Sequence, residues 1–149
     1  MAGGRRHRAR VAALQTLYEA DSSSHEPQRV LERIAVEHRL PKESKAFAQD
    51  LIERVLAQQD ELDTQIAKAA PAWPVAQLSP VDRNILRLAI CEMLGDNGTP
   101  VRAVINEAVE LAKSFGSENS AKFINGVLGS IERQRSELLA GRPAPKGGE

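Results

Sequence analysis

The sequence predicts an all-α fold of about seven helices in two small bundles that share one core. Every periodic segment repeats its apolar residues at helical spacing, and none alternates apolar and polar residues over the roughly four to eight positions that a half-buried strand needs. Two dipeptides, Ser79-Pro80 and Thr99-Pro100, have the residue order with which helices begin. A chain of 149 residues is also long enough for one domain with a substantial core.

The N-terminal half is predicted to hold three or four helices. The first carries apolar residues at helical spacing directly after a basic run, and the polar segment DSSSHEP ends it. The second spans about Pro27 to His38 and stops before Pro41, because the residue before a proline disfavours the helical conformation. A third helical region begins near Lys42. Its continuation through Leu62 and Ile66 is either the same helix or a separate one, ended by APAWP.

The C-terminal half is predicted to hold the central helix. The segment SPVD at residues 79–82 places a capping serine, a proline with a suitable φ angle and an acid in the first turn. Apolar residues then point nearly all round from Ile85 to Leu94, which is typical of a helix surrounded by others. Thr99-Pro100 opens a further helix, and a last helix follows the break SFGSENS.

The whole chain, residues 1–149, is predicted to form a single domain. Its two sub-bundles are expected at about residues 5–58 and 59–139, with a division near residues 59–79. Residues 140–149 are expected to form a disordered tail, because the sequence RPAPKGGE is polar and rich in proline and glycine.

The distribution of charge is more informative than its total. The 20 basic and 20 acidic residues cancel, so net charge does not indicate a polyanionic partner. No stretch is long and apolar enough for a membrane span, and we expect no membrane association. A single cysteine cannot form an internal disulfide, which fits a reducing compartment and a cytoplasmic location.

The chain contains no lysine, aspartate or glutamate before Glu19, so its formal charge there comes from arginine alone. A guanidinium group can donate two hydrogen bonds to one phosphate, and arginine-rich segments can become ordered when they bind RNA. The predicted RNA contacts are therefore Arg5, Arg6, Arg8 and Arg10. The alternative is a solubilising segment. An organellar transit peptide is disfavoured because the basic run continues directly into an apolar helix.

Two aromatic residues and two glycines extend this prediction. Tyr18 lies at the edge of the apolar stripe, where it is either core edge or a stacking platform for a base. Phe123 follows Lys122 at the start of the last helix, and its ring is predicted to face outward. Gly126 and Gly129 lie inside that helix. Close helix contact is the favoured explanation for the glycines, and approach of an RNA backbone is the alternative.

The sequence indicates neither catalysis nor a metal or other cofactor. The three histidines, His7, His25 and His38, share no ligand spacing with each other or with Cys91. The pair Glu107 and Glu110 has helical spacing but lacks accompanying histidines, and both side chains are expected on a solvated face.

Three stretches together resemble the NusB-type transcription antitermination factors over about residues 5–132. The last of them is specific, because its runs INEAVELAKSFG and KFINGVL are hard to obtain by composition alone. The stretches are RRHRARVAALQTLYEAD, LSPVDRNILRLAICEML and VRAVINEAVELAKSFGSENSAKFINGVLGSI.

This resemblance implies an all-helical protein that binds the boxA element of nascent RNA together with a small-subunit ribosomal protein, NusE. It also implies that the complex joins other Nus factors on RNA polymerase and prevents early termination, chiefly in ribosomal RNA operons. The resemblance assigns Asp82 to the partner surface. The positions that it implies for RNA contact are Arg5, Arg6, Arg8 and Arg10, with Tyr18, Lys122 and Phe123 beside them.

Two positions need separate comment. Asn119 stands where the family commonly has an acid, which removes a negative charge near the implied phosphate path. We therefore expect Asn119 to favour tighter, less discriminating RNA binding. Trp73 lies between Pro71 and Pro74 in an arrangement that many family members share, and we expect it to anchor this linker to the core.

Two other functions remain open on the sequence. The same helical domain resembles the N-terminal part of certain ribosomal RNA cytosine methyltransferases, so the chain could be a non-catalytic RNA-binding module. It could also be a helical adaptor whose arginines meet an acidic protein. The sequence leaves open whether the free protein is a monomer or a homodimer that covers its basic face.

Overall fold

The computed structural model describes residues 2–95 and 98–141, with side chains described within residues 4–136. This part of the chain forms seven α-helices, one short 3-10 turn and no strand, which confirms the predicted fold class. The helices are α1 (Ala2–Ser22), α2 (Pro27–Glu37), α3 (Lys42–Ala57), α4 (Gln59–Ala69), α5 (Pro80–Leu94), α6 (Val101–Phe115) and α7 (Ser120–Gly141), and the turn is Val75–Gln77.

The helix boundaries follow local sequence signals at most places. Ser79 Oγ accepts the Asp82 backbone N–H at 3.1 Å, so the predicted cap of α5 is confirmed. The third helical region is two helices, which break at Gln58. At α6 the predicted Thr99 cap is wrong, because the residue at the cap position is Pro100 and no side chain caps this helix.

Helix α5 is the central element of the fold, as predicted. All of its residues from Asn84 to Met93 are buried. It packs against α1, α3, α4, α6 and α7, and one continuous cluster of buried apolar residues draws on all seven helices. The division into sub-bundles at 5–58 and 59–139 stays a prediction.

A partly buried ionic network joins the C-terminal end of α1 to α4 and α5. Arg87 donates from Nε and Nη2 to the two Asp63 carboxylate oxygens at 2.8 and 2.9 Å. Asp21 accepts from Arg83 Nε at 2.7 Å and from Asn84 Nδ2 at 2.9 Å. Burial alone would raise the pKa of Asp21, but these hydrogen bonds outweigh it and lower the pKa. The network therefore favours a charged carboxylate that holds α1 against α5.

Glycines in the last two helices have different surroundings. At Gly116, in the turn after α6, an added Cβ would lie 2.5 Å from Ser120 Cβ and 2.8 Å from the Ala112 carbonyl oxygen. At Gly126 it would meet nothing within 4 Å, and at Gly129 only Arg133 Nη1 at 3.4 Å. Close helix contact therefore explains Gly116, but the structure does not support this explanation for Gly126 or Gly129.

The C-terminal boundary differs in part from the prediction. Helix α7 continues to Gly141, so residues 140 and 141 are helical rather than part of a tail. The remainder of the predicted tail, residues 142–149, lies outside the described residues.

Two glycine substitutions should have opposite effects on stability. Gly116→Ala should lower the free energy of unfolding by about 1–3 kcal/mol, because backbone and Ser120 must move to admit the methyl group. Gly126→Ala should raise it by about 0.5–1 kcal/mol, because it replaces an exposed glycine inside a helix. Urea unfolding of the two variants beside the unmodified protein measures both changes. A similar effect of both substitutions would contradict this account.

Candidate nucleic-acid interface

The basic run is part of α1 rather than a segment that precedes the helix. Because α1 begins at Ala2, the arginines occupy its first turns. Residues four apart share a helix face, so Arg6 and Arg10 lie above one another, while Arg5 and Arg8 lie three apart. Arg5, Arg6 and Arg8 are exposed, whereas Arg10 is buried.

Arg10 forms a buried ion pair with Glu92 of α5. Only 7% of Arg10 is exposed, and its Nε and Nη2 donate to the two Glu92 carboxylate oxygens, each at 2.7 Å. Burial alone would lower the pKa of Arg10, but the hydrogen bonds and charge of Glu92 outweigh it and raise the pKa. Arg10 is therefore permanently charged and committed to a structural pair, which corrects its predicted role as an RNA contact.

Arg6 is exposed but held in place on two sides. Its guanidinium carbon lies 4.5 Å from the centroid of the Phe47 ring in α3, and Arg10 lies 5.2 Å from the same centroid. Arg6 Nη1 also donates to Thr99 Oγ1 at 3.3 Å, just before α6. A guanidinium has five N–H donors, so most of the Arg6 donors remain for a ligand.

Arg8 is positioned by the end of α2. Its Nη2 donates to the backbone carbonyl oxygens of His38 at 2.6 Å and Arg39 at 3.3 Å. These carbonyls follow the last residue of α2, and Arg39 has a φ of 49°, so the chain reverses direction there. A cation at a helix C-terminus is favoured by the helix dipole. Arg8 therefore joins α1 to α2 while its outer face stays accessible.

His7 is the basic residue of this segment for which the sequence predicts no RNA contact. Its Nδ1 makes a short contact with Glu107 Oε2 of α6. Glu107 is thus partly buried against α1 instead of lying on a solvated face as predicted, whereas Glu110 is exposed. Nothing in the spacing of His7 and Glu107 could have indicated this contact, because the two residues are 100 positions apart.

An apolar groove of about 550 Å³ runs between α1 and α2 and reaches the start of α5. Its exposed aromatic residues are Tyr18, which is 44% exposed, and Phe115 at the end of α6. Val81 at the start of α5 also lines it. The next residue, Asp82, has a buried Oδ1 without a hydrogen-bond partner among the described residues. The groove therefore offers apolar surface with two exposed aromatic side chains.

An ion-pair cluster at the rim of this groove fixes α1 against α2. Glu19 accepts from Arg33 Nη2 at 2.6 Å and contacts His25 Nδ1 at 2.7 Å. The hydrogen bonds from Arg33 and His25 lower the pKa of Glu19 to about 2. Glu19 is therefore ionised at any pH at which the protein is expected to work.

The start of α7 carries the remaining predicted contacts. Asn119 and Lys122 are exposed, as an interface requires. Phe123 is half-buried and packs against the core, so the prediction that its ring faces outward is corrected. The backbone around Gly126 is open, which leaves the approach of a ligand backbone as an explanation for this glycine.

Trp73 also lies differently from the expectation. It is 59% exposed and does not belong to the core cluster, so it does not anchor the linker between α4 and α5. The short turn Val75–Gln77 and buried Leu78 hold this linker instead.

The described residues offer neither a metal site nor a membrane span. No group of three or more histidine, cysteine or acidic side chains among them is placed to hold a metal ion. Cys91 is buried in α5, and burial raises the pKa of its thiol. None of the helices in the described ranges is long and apolar enough to cross a bilayer.

These features define an all-helical protein with exposed arginines at one end of α1 and an apolar groove between α1 and α2. The chain belongs to the NusB family, because residues 7–133 match the sequence model of that family. It is 49% identical over 128 residues to the transcription antitermination protein NusB of Dehalococcoides mccartyi strain CBDB1, which covers 86% of this chain and 90% of that protein.

Two solved structures share the fold. T. maritima NusB superposes with a TM-score of 0.80 at 34% identity, covering 87% of this chain and 91% of that one. A chain in a crystal structure of the antitermination factors NusB and NusE in complex with dsRNA has a TM-score of 0.79 at 27% identity, covering 87% of this chain and 97% of that one.

The Glu19 cluster predicts a dependence of stability on acid pH. The pKa of Glu19 is lowered in the folded state, so its contribution is complete above the unfolded value near 4.5 and is lost as pH falls toward about 2. Between pH 5 and pH 2, the free energy of unfolding of Glu19→Gln should therefore decrease less than that of the unmodified protein. Urea unfolding across this range measures the difference, and equal slopes for the two proteins would contradict the assignment.

Proposed function

We propose that this protein is a transcription antitermination factor that binds boxA-type single-stranded RNA together with the small-subunit ribosomal protein NusE. In this role it works in the cytoplasm with other Nus factors on RNA polymerase and supports processive transcription of ribosomal RNA operons. It performs no chemical step. The observation that carries the proposal is a set of three exposed arginines, Arg5, Arg6 and Arg8, on one end of α1 in a chain of the NusB family.

The RNA contacts are proposed on α1 and at the start of α7. Arg6 and Arg8 are fixed by contacts to other helices, so they lose less conformational freedom on binding than free side chains would. Arg5 adds a third exposed charge, and Tyr18 offers an exposed ring for stacking with a base. Asn119, Lys122 and the face of Phe123 that remains accessible extend the surface.

The NusE contact is proposed at the groove beside Asp82. Removing apolar surface from water favours a protein partner there. Asp82, which the resemblance assigns to the partner surface, directly follows Val81, a residue that lines the groove. Because Tyr18 lines the same groove, RNA and NusE would meet along α1. A partner that adds contacts to both the protein and the RNA would raise RNA affinity.

A titration with labelled RNA tests this proposal. The probes are a boxA-like single strand, a scrambled strand and a duplex of the boxA sequence, each with and without NusE at 50 and 200 mM salt. The boxA-like strand should bind best, and NusE should strengthen this preference. Three phosphate contacts give a log–log salt slope of about −2, so affinity for the single strand should fall roughly twentyfold between the two salt concentrations.

Arginine substitutions identify the source of the salt dependence. Arg6→Ala and Arg8→Ala should each make the salt slope less steep by about 0.7. Arg29→Ala is the matched control, because it removes an exposed positive charge at the other end of α2. Equal effects of all three substitutions would contradict the proposed contacts. Binding of NusE without any RNA binding would instead support the protein-adaptor alternative.

Asn119→Asp tests the departure from the family pattern. Placing a negative charge near the proposed phosphate path should weaken binding to the boxA-like strand by up to about fivefold, the effect of one surface charge. It should also increase the ratio of boxA to scrambled affinity, because nonspecific attraction decreases more. Asn119→Ala is the control for loss of the amide. Unchanged affinity in Asn119→Asp would refute this expectation.

A further inference from the structure

Arg6 and Arg10 share one aromatic ring but differ in what else holds them. Their guanidinium carbons lie 4.5 and 5.2 Å from the Phe47 centroid. Arg10 has two further hydrogen bonds to Glu92, each 2.7 Å long, inside the protein. Among the described residues, Arg6 donates one hydrogen bond, to Thr99 Oγ1, which is 3.3 Å long and exposed. The orientation of Arg6 therefore depends more on Phe47 than that of Arg10 does.

The Phe47 ring is well placed to act as a fixed support. It belongs to α3, which packs directly on α1, and it is partly buried against the core. A cation is attracted to the electron-rich face of an aromatic ring, and a planar guanidinium also packs on that face. The ring therefore restricts the Arg6 side chain without using its N–H donors.

The surrounding charges make this support effective. Arg6 and Arg10 carry like charges on the same helix face, which would drive an unrestrained Arg6 away. Two acids lie close to these charges. Glu92 pairs with Arg10, and Glu107 contacts His7, the residue that follows Arg6. The repulsion on Arg6 is thereby reduced, and its guanidinium can remain over the ring.

We infer that Phe47 is a positioning residue for RNA binding: its ring holds the Arg6 guanidinium in the orientation from which it contacts phosphate. This inference rests on the proposed function. Phe47 itself makes no contact with RNA, and its contribution to affinity passes through Arg6. An aromatic ring at position 47 is therefore required, whereas an aliphatic side chain of similar size does not replace it.

A double-mutant cycle between positions 47 and 6 tests the inference. Phe47→Leu should weaken binding to the boxA-like strand about two- to fivefold, as expected for loss of one exposed cation–π contact. In the Arg6→Ala background the same substitution should leave affinity unchanged. Phe47→Tyr keeps the ring and should retain the original affinity. Circular dichroism and urea unfolding of each variant establish that the protein is folded, and Phe47→Met replaces Phe47→Leu if the latter is not.

The outcomes separate this inference from the proposed function. If the unmodified protein binds RNA but Phe47→Leu binds equally well, Phe47 does not position Arg6. If Phe47→Leu weakens binding by the same factor with and without Arg6, its effect is a structural one and the inference fails. If the unmodified protein binds no RNA with or without NusE, the proposed function itself fails.

Discussion

The buried pair of Arg10 and Glu92 determines how α1 is presented. A guanidinium inside a protein must be paired, because leaving either partner alone costs about 3–5 kcal/mol. Successive residues of a helix differ by about 100° around its axis, so rotating α1 by one position would bury another arginine away from Glu92. The pair therefore permits one rotation of α1. In that rotation Arg5, Arg6 and Arg8 are exposed, which concentrates positive charge at one end of α1 despite the zero net charge of the chain.

The other contacts of α1 fix the helix along its length. Arg8 binds the end of α2, Glu19 pairs with Arg33, and Asp21 joins the network with Arg83 at the start of α5. Because α5 is packed on nearly every side, it serves as the reference against which these contacts align α1. The groove between α1 and α2 follows from this alignment. Rigid positioning reduces the conformational entropy lost on binding, and this suits a protein that brings together a flexible RNA strand and a second protein.

The sequence predicted the helices and the central position of α5, because periodicity and capping residues act over a few positions. It placed the arginines next to the first helix, whereas they form its first turns. It could not show that Arg10 is buried while the other three arginines are exposed, since the partner Glu92 is 82 residues away and no local pattern connects the two residues. The same reason applies to His7 with Glu107. Trp73 is exposed where the sequence predicted burial, and Phe123 is half-buried where the sequence predicted exposure. The exposure of an aromatic residue depends on tertiary packing, which local sequence patterns do not determine.

The most direct measurement is nuclear magnetic resonance of the arginine side chains in the unmodified protein during titration with the boxA-like strand and NusE. The account predicts that the Nε–H signals of Arg6 and Arg8 shift on binding. It also predicts that the Arg10 Nε–H remains slow to exchange with solvent in both the free and the bound protein, because its hydrogen bond to Glu92 persists. Rapid exchange of the Arg10 Nε–H, or an RNA-induced shift at Arg10 as large as that at Arg6 and Arg8, would contradict the division between a structural Arg10 and the proposed RNA contacts Arg6 and Arg8.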